Sequence, residues 1–205
     1  MRYKSIIFAL TLCLASVVQA QQQRPPITGF GGDQDERASV RIAYWNNVKN
    51  EGAGEFAIDY GRPAWKKEYE DAAKFDSFTK GKVWRLGSNF WTVLDSNIPL
   101  KIAGKEIPIG MWYLGVHRSE DGSQYSLAFI DPAKVRSMRL DPFQIERAPV
   151  AFKVPMTLEK ATDSKDKLTI ALTYQRPNPR EVTMKVSWGT LQLSAPIQVS
   201  IDGLN

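Results

Sequence analysis

The chain has 205 residues, of which 43% are hydrophobic and 24% charged, a globular composition with enough length for one well-buried domain. Its formal net charge is +5, but 27 basic residues, two of them Arg2 and Lys4, stand against 22 acidic ones, so the chain beyond the first twenty residues carries +3. Basic and acidic residues are interspersed, so no contiguous nucleic-acid-binding stripe is present.

Residues 1–20 have the pattern of a signal peptide. Arg2 and Lys4 form a positive start, residues 6–18 an apolar run, and Val18-Gln19-Ala20 a small-residue cleavage site. The run is short for a membrane span, and polar residues 21–24 follow it. This predicts export to the periplasm or the outside, with no stable membrane span after cleavage. The single cysteine, Cys13, lies inside this leader, so disulfides, thiol catalysis and cysteine-ligated metals are excluded for the mature chain. Residues 21–36, rich in Gln, Pro and Gly, read as a flexible lead-in to a single domain over 37–205.

Strand signals begin at Ser39. Val40, Ile42 and Tyr44 alternate with polar or small residues, as do Phe56, Ile58 and Tyr60, and the second run stops at Gly61-Arg62-Pro63. Trp65, Tyr69, Ala72 and Ala73 recur at helical spacing, with Glu70 and Lys74 placed to pair at i,i+4. Phe75 and Phe78 bracket the exit of this short helix, which ends at Lys80-Gly81.

Residues 81–92 form the most contact-rich stretch: Trp84, Arg85, Asn89 and Trp91 surround a Gly87-Ser88-Asn89 turn. Strands follow around 91–94 and 98–102, and then at 111–117, which is apolar on both faces and so predicted to be central and doubly covered. Glu120-Asp121-Gly122-Ser123 is a hairpin turn leading to Tyr125, Leu127 and Phe129. Asp131-Pro132 starts a second short helix, with aspartate as cap and proline in the first turn. Pro142 then interrupts the chain. Alternating runs at 168–174, 182–188 and 191–195 close it. The fold class is therefore all-β: an antiparallel sandwich or barrel-like domain of about nine short strands with one or two short helices.

Three motifs occur in order: Ile58-Asp59-Tyr60-Gly61-Arg62-Pro63; Lys82-Val83-Trp84-Arg85-Leu86-Gly87-Ser88-Asn89 with Thr92; and Gly104 followed by Pro108-Ile109-Gly110-Met111-Trp112-Tyr113-Leu114. Together they resemble the exported bacterial family catalogued as domain of unknown function 2911, whose members end as residues 191–197 do here, after Trp188. The similarity spans nearly the whole mature chain, and Trp-Arg-x-Gly-x-Asn is its most specific part. The family usually has alanine at the position of Ser88. It also usually carries a Gly-Arg-containing loop where this chain has the charged helical segment 65–80. The resemblance implies an exported, β-rich domain and no particular activity.

The chemistry is narrowed by what is missing. With only His117, a zinc site lacks its usual second histidine, and no Gly-x-Ser-x-Gly elbow accompanies a Ser-His-Asp triad. His117 reads as a strand-end residue with a hydrogen-bond partner. No Walker loop, dinucleotide fingerprint or EF-hand occurs, so no cofactor or metal is expected. Asp59, Asp95 and Glu106 are candidates for a carboxylate-dependent hydrolase, which needs two facing acids.

The preferred candidate is a ligand site of Arg85, Asn89, Trp84 and Arg62. Arginine supplies a planar cationic fork for oxyanions, asparagine a donor and an acceptor, and tryptophan an apolar or sugar-stacking wall, to which Trp91 can add. The reading is thus an exported, non-enzymatic β-sandwich that binds a small anionic or carbohydrate ligand or an envelope partner. The alternatives are the hydrolase and a purely structural envelope protein, in which Arg85 bridges to Asp59 or another acid and the tryptophans are core.

Overall fold

The computed structural model describes residues 36–201; the predicted signal peptide and all of the lead-in except Glu36 lie outside the described residues. Twelve strands, three more than the sequence pattern predicts, form one open antiparallel sheet, joined by two short α-helices and two 3-10 turns. The strands are β1 (Arg37–Asn46), β2 (Glu51–Gly61), β3 (Val83–Arg85), β4 (Thr92–Ser96), β5 (Leu100–Ile102), β6 (Lys105–Ile107), β7 (Gly110–Arg118), β8 (Tyr125–Ile130), β9 (Val150–Glu159), β10 (Lys165–Gln175), β11 (Asn178–Gly189) and β12 (Leu191–Val199). The helices are α1 (Ala72–Thr79) and α2 (Pro132–Ser137).

The sheet runs β1-β2-β4-β7-β8-β9-β12-β11-β10. It is divided at β9, which pairs with β8 as far as Met156 and with β12 from Thr157 to Glu159. Two layers result, and alternation along each strand sends one set of side chains inward. Phe56, Ile58, Leu94, Leu114, Val116 and Leu127 from the first layer share one core with Leu168, Met184, Leu193 and Ile197 from the second. The architecture is sandwich-like. β9 has no counterpart in the sequence reading: Val150, Phe152, Val154, Met156 and Leu158 alternate, but Pro155, which has no N–H for a ladder, stands inside the run. In the fold Pro155 lies opposite Ser126, one residue before β9 makes its last pair with β8.

The layers are also stitched where β2 leaves the sheet. Trp65 N–H donates to the Asp166 carbonyl at 2.6 Å, and Leu168 N–H to that of Pro63 at 3.0 Å. The Tyr60 hydroxyl accepts from Ile170 N–H at 2.9 Å. Glu36, assigned from sequence to the lead-in, pairs with Arg62 at 3.3 Å and with Lys167 across this seam.

The predicted helix after Pro63 is shifted. Lys67–Glu70 is a 3-10 turn, and α1 begins only after Asp71, whose carboxylate caps it by accepting from Lys74 N–H at 3.0 Å. This break takes Glu70 out of register with Lys74. The i,i+4 pair that forms is Asp76–Lys80, at 2.7 Å. α2 forms as expected, with Asp131 accepting from Ala133 N–H at 2.8 Å. With the 3-10 turn Pro142–Arg147, α2 covers the outer face of β7 and β8 and builds a second core of Ile130, Val135, Leu140, Ile145 and Ala148. β7 is therefore central and covered on both faces, as its apolar pattern predicts.

Candidate functional site

β3 and β4 occupy successive positions along the same edge of β7. Arg85 pairs with Gly115 and Thr92 with Leu114, so the chain leaves β7 and returns one residue further on, after a six-residue loop, 86–91. Leu86 is fully buried beneath the loop, and its carbonyl accepts from the Thr92 hydroxyl. Gly87 has φ +154°, and a side chain there would press on Thr92 Oγ1 at 2.7 Å. A Cβ on Gly61 would meet the Ser88 carbonyl oxygen at 2.4 Å. Two motifs about twenty-five residues apart in sequence thus pack backbone against backbone, which explains the glycine in each. Asn89 closes the turn at φ +59°, a left-handed conformation that asparagine tolerates better than most residues.

Strand alternation then separates two of the predicted site residues. The Trp84 ring lies 6.2 Å from that of Trp188, whereas the Arg85 guanidinium carbon lies 4.2 Å above the centre of the Phe143 ring. On the Trp84 side is a cavity of about 540 Å³, walled by Trp84, Trp188, Tyr69, Phe75 and Phe78 and bordered by Arg85, Gly87 and Ser88.

The aromatic wall is built largely by residues 65–80. Trp65 packs edge-on against Trp188 at 5.1 Å and against Tyr69 at 5.4 Å, and Tyr69 against Phe78 at 6.0 Å. Each such pair contributes about 0.5–1.5 kcal/mol beyond area burial. Gly189, at φ +56°, lets the Trp65 ring lie where a Cβ would be 2.0 Å from it. The Trp188 indole N–H donates to the Pro63 carbonyl at 3.0 Å. The Trp84 indole N–H is buried and has no hydrogen-bond partner. Lys66 and Glu68, 3.6 Å apart, lie at the rim. Behind the wall, Arg118 holds α1 to the hairpin: it donates to Asp76 at 2.7 Å, Thr79 at 3.0 Å and the Gly122 carbonyl at 2.9 Å.

The other predicted residues take different places. Arg62 turns away and donates to the Leu168 carbonyl at 3.2 Å and to Glu36, helping to hold the seam. Trp91 stacks on Tyr113 at 4.8 Å with rings 4° from parallel, against the second core. Asp59 is bound by Arg37, so Arg85 does not bridge to it. Glu106 pairs with Lys101 at 2.8 Å, and Asp95 lies exposed opposite Ala57. None of these three acids lines the cavity. His117 sits on β7 between Val83 and Ser126; burial first, then Lys153, holds its pKa below the ordinary imidazole value, opposed by Glu120. Among the described residues no cluster of three or more His, Asp or Glu side chains could hold a metal ion, and no helix is long and apolar enough to cross a membrane.

Sequence reasoning did not place Trp188, Tyr69, Phe75 and Phe78 beside Trp84, where they line the cavity. Their signals, alternation in a strand and spacing in a helix, are those of ordinary core positions.

A mostly β domain with a cavity at the end of β3 is the class these features define. From residue 45 to 197 the sequence matches the family model described as "Protein of unknown function (DUF2911)", and the chain belongs to that family. No curated protein and no solved structure matches it.

Proposed function

We propose that this is an exported binding protein that holds a small carbohydrate in the aromatic cavity beside β3. The observation that carries the reading is the combination of a wall of five aromatic rings with the buried, unpartnered N–H of Trp84. Ligand pockets typically enclose roughly 300–1,000 Å³, with apolar walls and few polar groups, and this cavity of about 540 Å³ fits that description. Aromatic faces suit the apolar C–H faces of a sugar ring, while an indole N–H and the Ser88 hydroxyl suit its oxygens. An unmade hydrogen bond to a buried donor costs about 1–3 kcal/mol, so an acceptor at Trp84 would recover that energy. A purely structural role would fit better had Trp84 been internally paired with no cavity beside it.

The test is titration of the mature protein with neutral oligosaccharides and cell-wall fragments, followed by tryptophan fluorescence and thermal shift. Saturable binding is expected, weakened about tenfold in Trp84→Phe, which keeps a ring but loses the N–H. No binding by any neutral sugar would overturn the reading. Export is tested separately by amino-terminal sequencing of the secreted protein, with Gln21 expected first.

A further inference from the structure

We propose that Arg85 heads a second site, on the outer face of the first layer, which binds the carboxylate of a small acidic ligand. Four arginines among the described residues are partly buried: Arg37, Arg62, Arg85 and Arg118. Three are tied to acceptors. Arg37 donates to Asp59 and, at 3.1 Å, to the Trp91 carbonyl; Arg62 donates to Glu36, the Leu168 carbonyl and Thr169; Arg118 donates to Asp76, Thr79 and the Gly122 carbonyl.

Arg85 differs. It forms no ion pair among the described residues; its Nη1, like that of Arg37, is buried without a hydrogen-bond partner, but Arg37 is held by Asp59 and Arg85 by no acid. Its guanidinium lies over the face of Phe143, a residue itself 59% exposed. A ring face attracts a cation but accepts none of the in-plane N–H groups, so Phe143 leaves their hydrogen-bonding capacity unmet.

The surroundings define the ligand. Gly115 lies opposite Arg85, with Val83 and Ile145 packed over it where a side chain would stand. The nearby acid is Asp141, whose attraction partly offsets the effect of burial on Arg85. Its carboxylate caps the 3-10 turn that carries Phe143, accepting from Phe143 N–H at 2.8 Å. Asp141 is thus committed to the turn, and its charge disfavours a dianion beside it. A planar monocarboxylate matches the fork and adds a single negative charge. Arg85 also borders the aromatic cavity, but its guanidinium contacts Phe143 whereas the Trp84 ring contacts Trp188, so the two readings can be tested separately.

The experiment is calorimetric titration and thermal shift of the mature protein with acetate, glycolate, sulfate and phosphate. Wild-type protein should bind the monocarboxylates more tightly than sulfate or phosphate. Arg85→Gln should abolish that binding, and Arg85→Lys, which keeps the charge but loses the fork, should weaken it about tenfold. Should Arg85→Gln fail to fold, Arg85→Lys decides. Trp188→Ala, which opens the cavity wall, should leave carboxylate affinity unchanged while reducing any sugar binding. Absence of carboxylate binding in the wild type, unchanged affinity in Arg85→Lys, a preference for phosphate, or loss in Trp188→Ala alone would each overturn the proposal.

Discussion

On one side of β3, Trp84 lies among the rings of Trp188, Tyr69, Phe75 and Phe78, under a cover formed by the 3-10 turn and α1. On the other, Arg85 lies against Phe143, on a face covered by α2 and a second 3-10 turn. The first region is held by ring packing, by the seam to β10 and by the Arg118 clamp. The second leaves a cation in a partly buried place with no counter-charge bonded to it. Adjacent residues on one short strand therefore face different chemistry, because a strand must point neighbouring side chains to opposite sides. Apolar packing on the first side tolerates little change of shape, whereas the second side is set by charge.

Gly189→Ala should have the largest effect on this contrast. The added Cβ would strike the Trp65 ring at 2.0 Å at a residue with φ +56°, so a loss of about 3 kcal/mol is expected in denaturant unfolding, together with collapse of the cavity wall. The Arg85 face should be untouched, and carboxylate titration of the variant checks this.

Arg118→Met should cost roughly 2 kcal/mol by releasing α1 from the hairpin and leaving Thr79 and the Gly122 carbonyl without their charged donor. Asp76, held below the usual carboxylate range by Lys80 first and Arg118 second, connects this clamp to pH. Its contribution is present above the unfolded carboxylate pKa and is lost as pH falls through the folded value. Acid-induced melting of the cover should therefore begin less steeply in Asp76→Asn.

Asn89→Ala should destabilise by about 1 kcal/mol, and Asn89→Gly by less, if the left-handed backbone is what asparagine supplies. An equal loss in both would point instead to its side chain. The smallest expected effect is at His117. Its folded pKa is depressed, so the stability it contributes is complete above about pH 6.5 and declines as pH falls through the folded value. His117→Asn should flatten the dependence of melting temperature on pH in that range.

Part of this was legible in the linear chain. Alternation marked the long strands, Asp121-Gly122 the hairpin, and Asp131-Pro132 the start of α2, because each signal is local and its physical cause lies within a few residues. The charged helix was misplaced, since Asp71 capped a new start in the middle of its apolar spacing. β9 was not found, because a proline inside a regular alternation argues against a strand, and its pairing with β8 and β12 became visible only in the fold. The turn at Gly87-Ser88-Asn89 was legible too, with Trp84 and Arg85 on the strand before it. Arg62 gave the same signal and has a different use: the seam to β10 brought Glu36 and the Leu168 carbonyl within its reach.

The sequence by itself determined the β class, the family and the glycine-rich turn, since composition, period and backbone permissiveness are properties of short windows. Only the tertiary structure decided what surrounds the turn. It set Gly61 against Ser88, brought Trp188 and the 65–80 segment onto Trp84, and left Arg85 alone of the partly buried arginines without an acceptor. These relations join residues up to about a hundred positions apart, and their energies arise from close approach that no local pattern encodes.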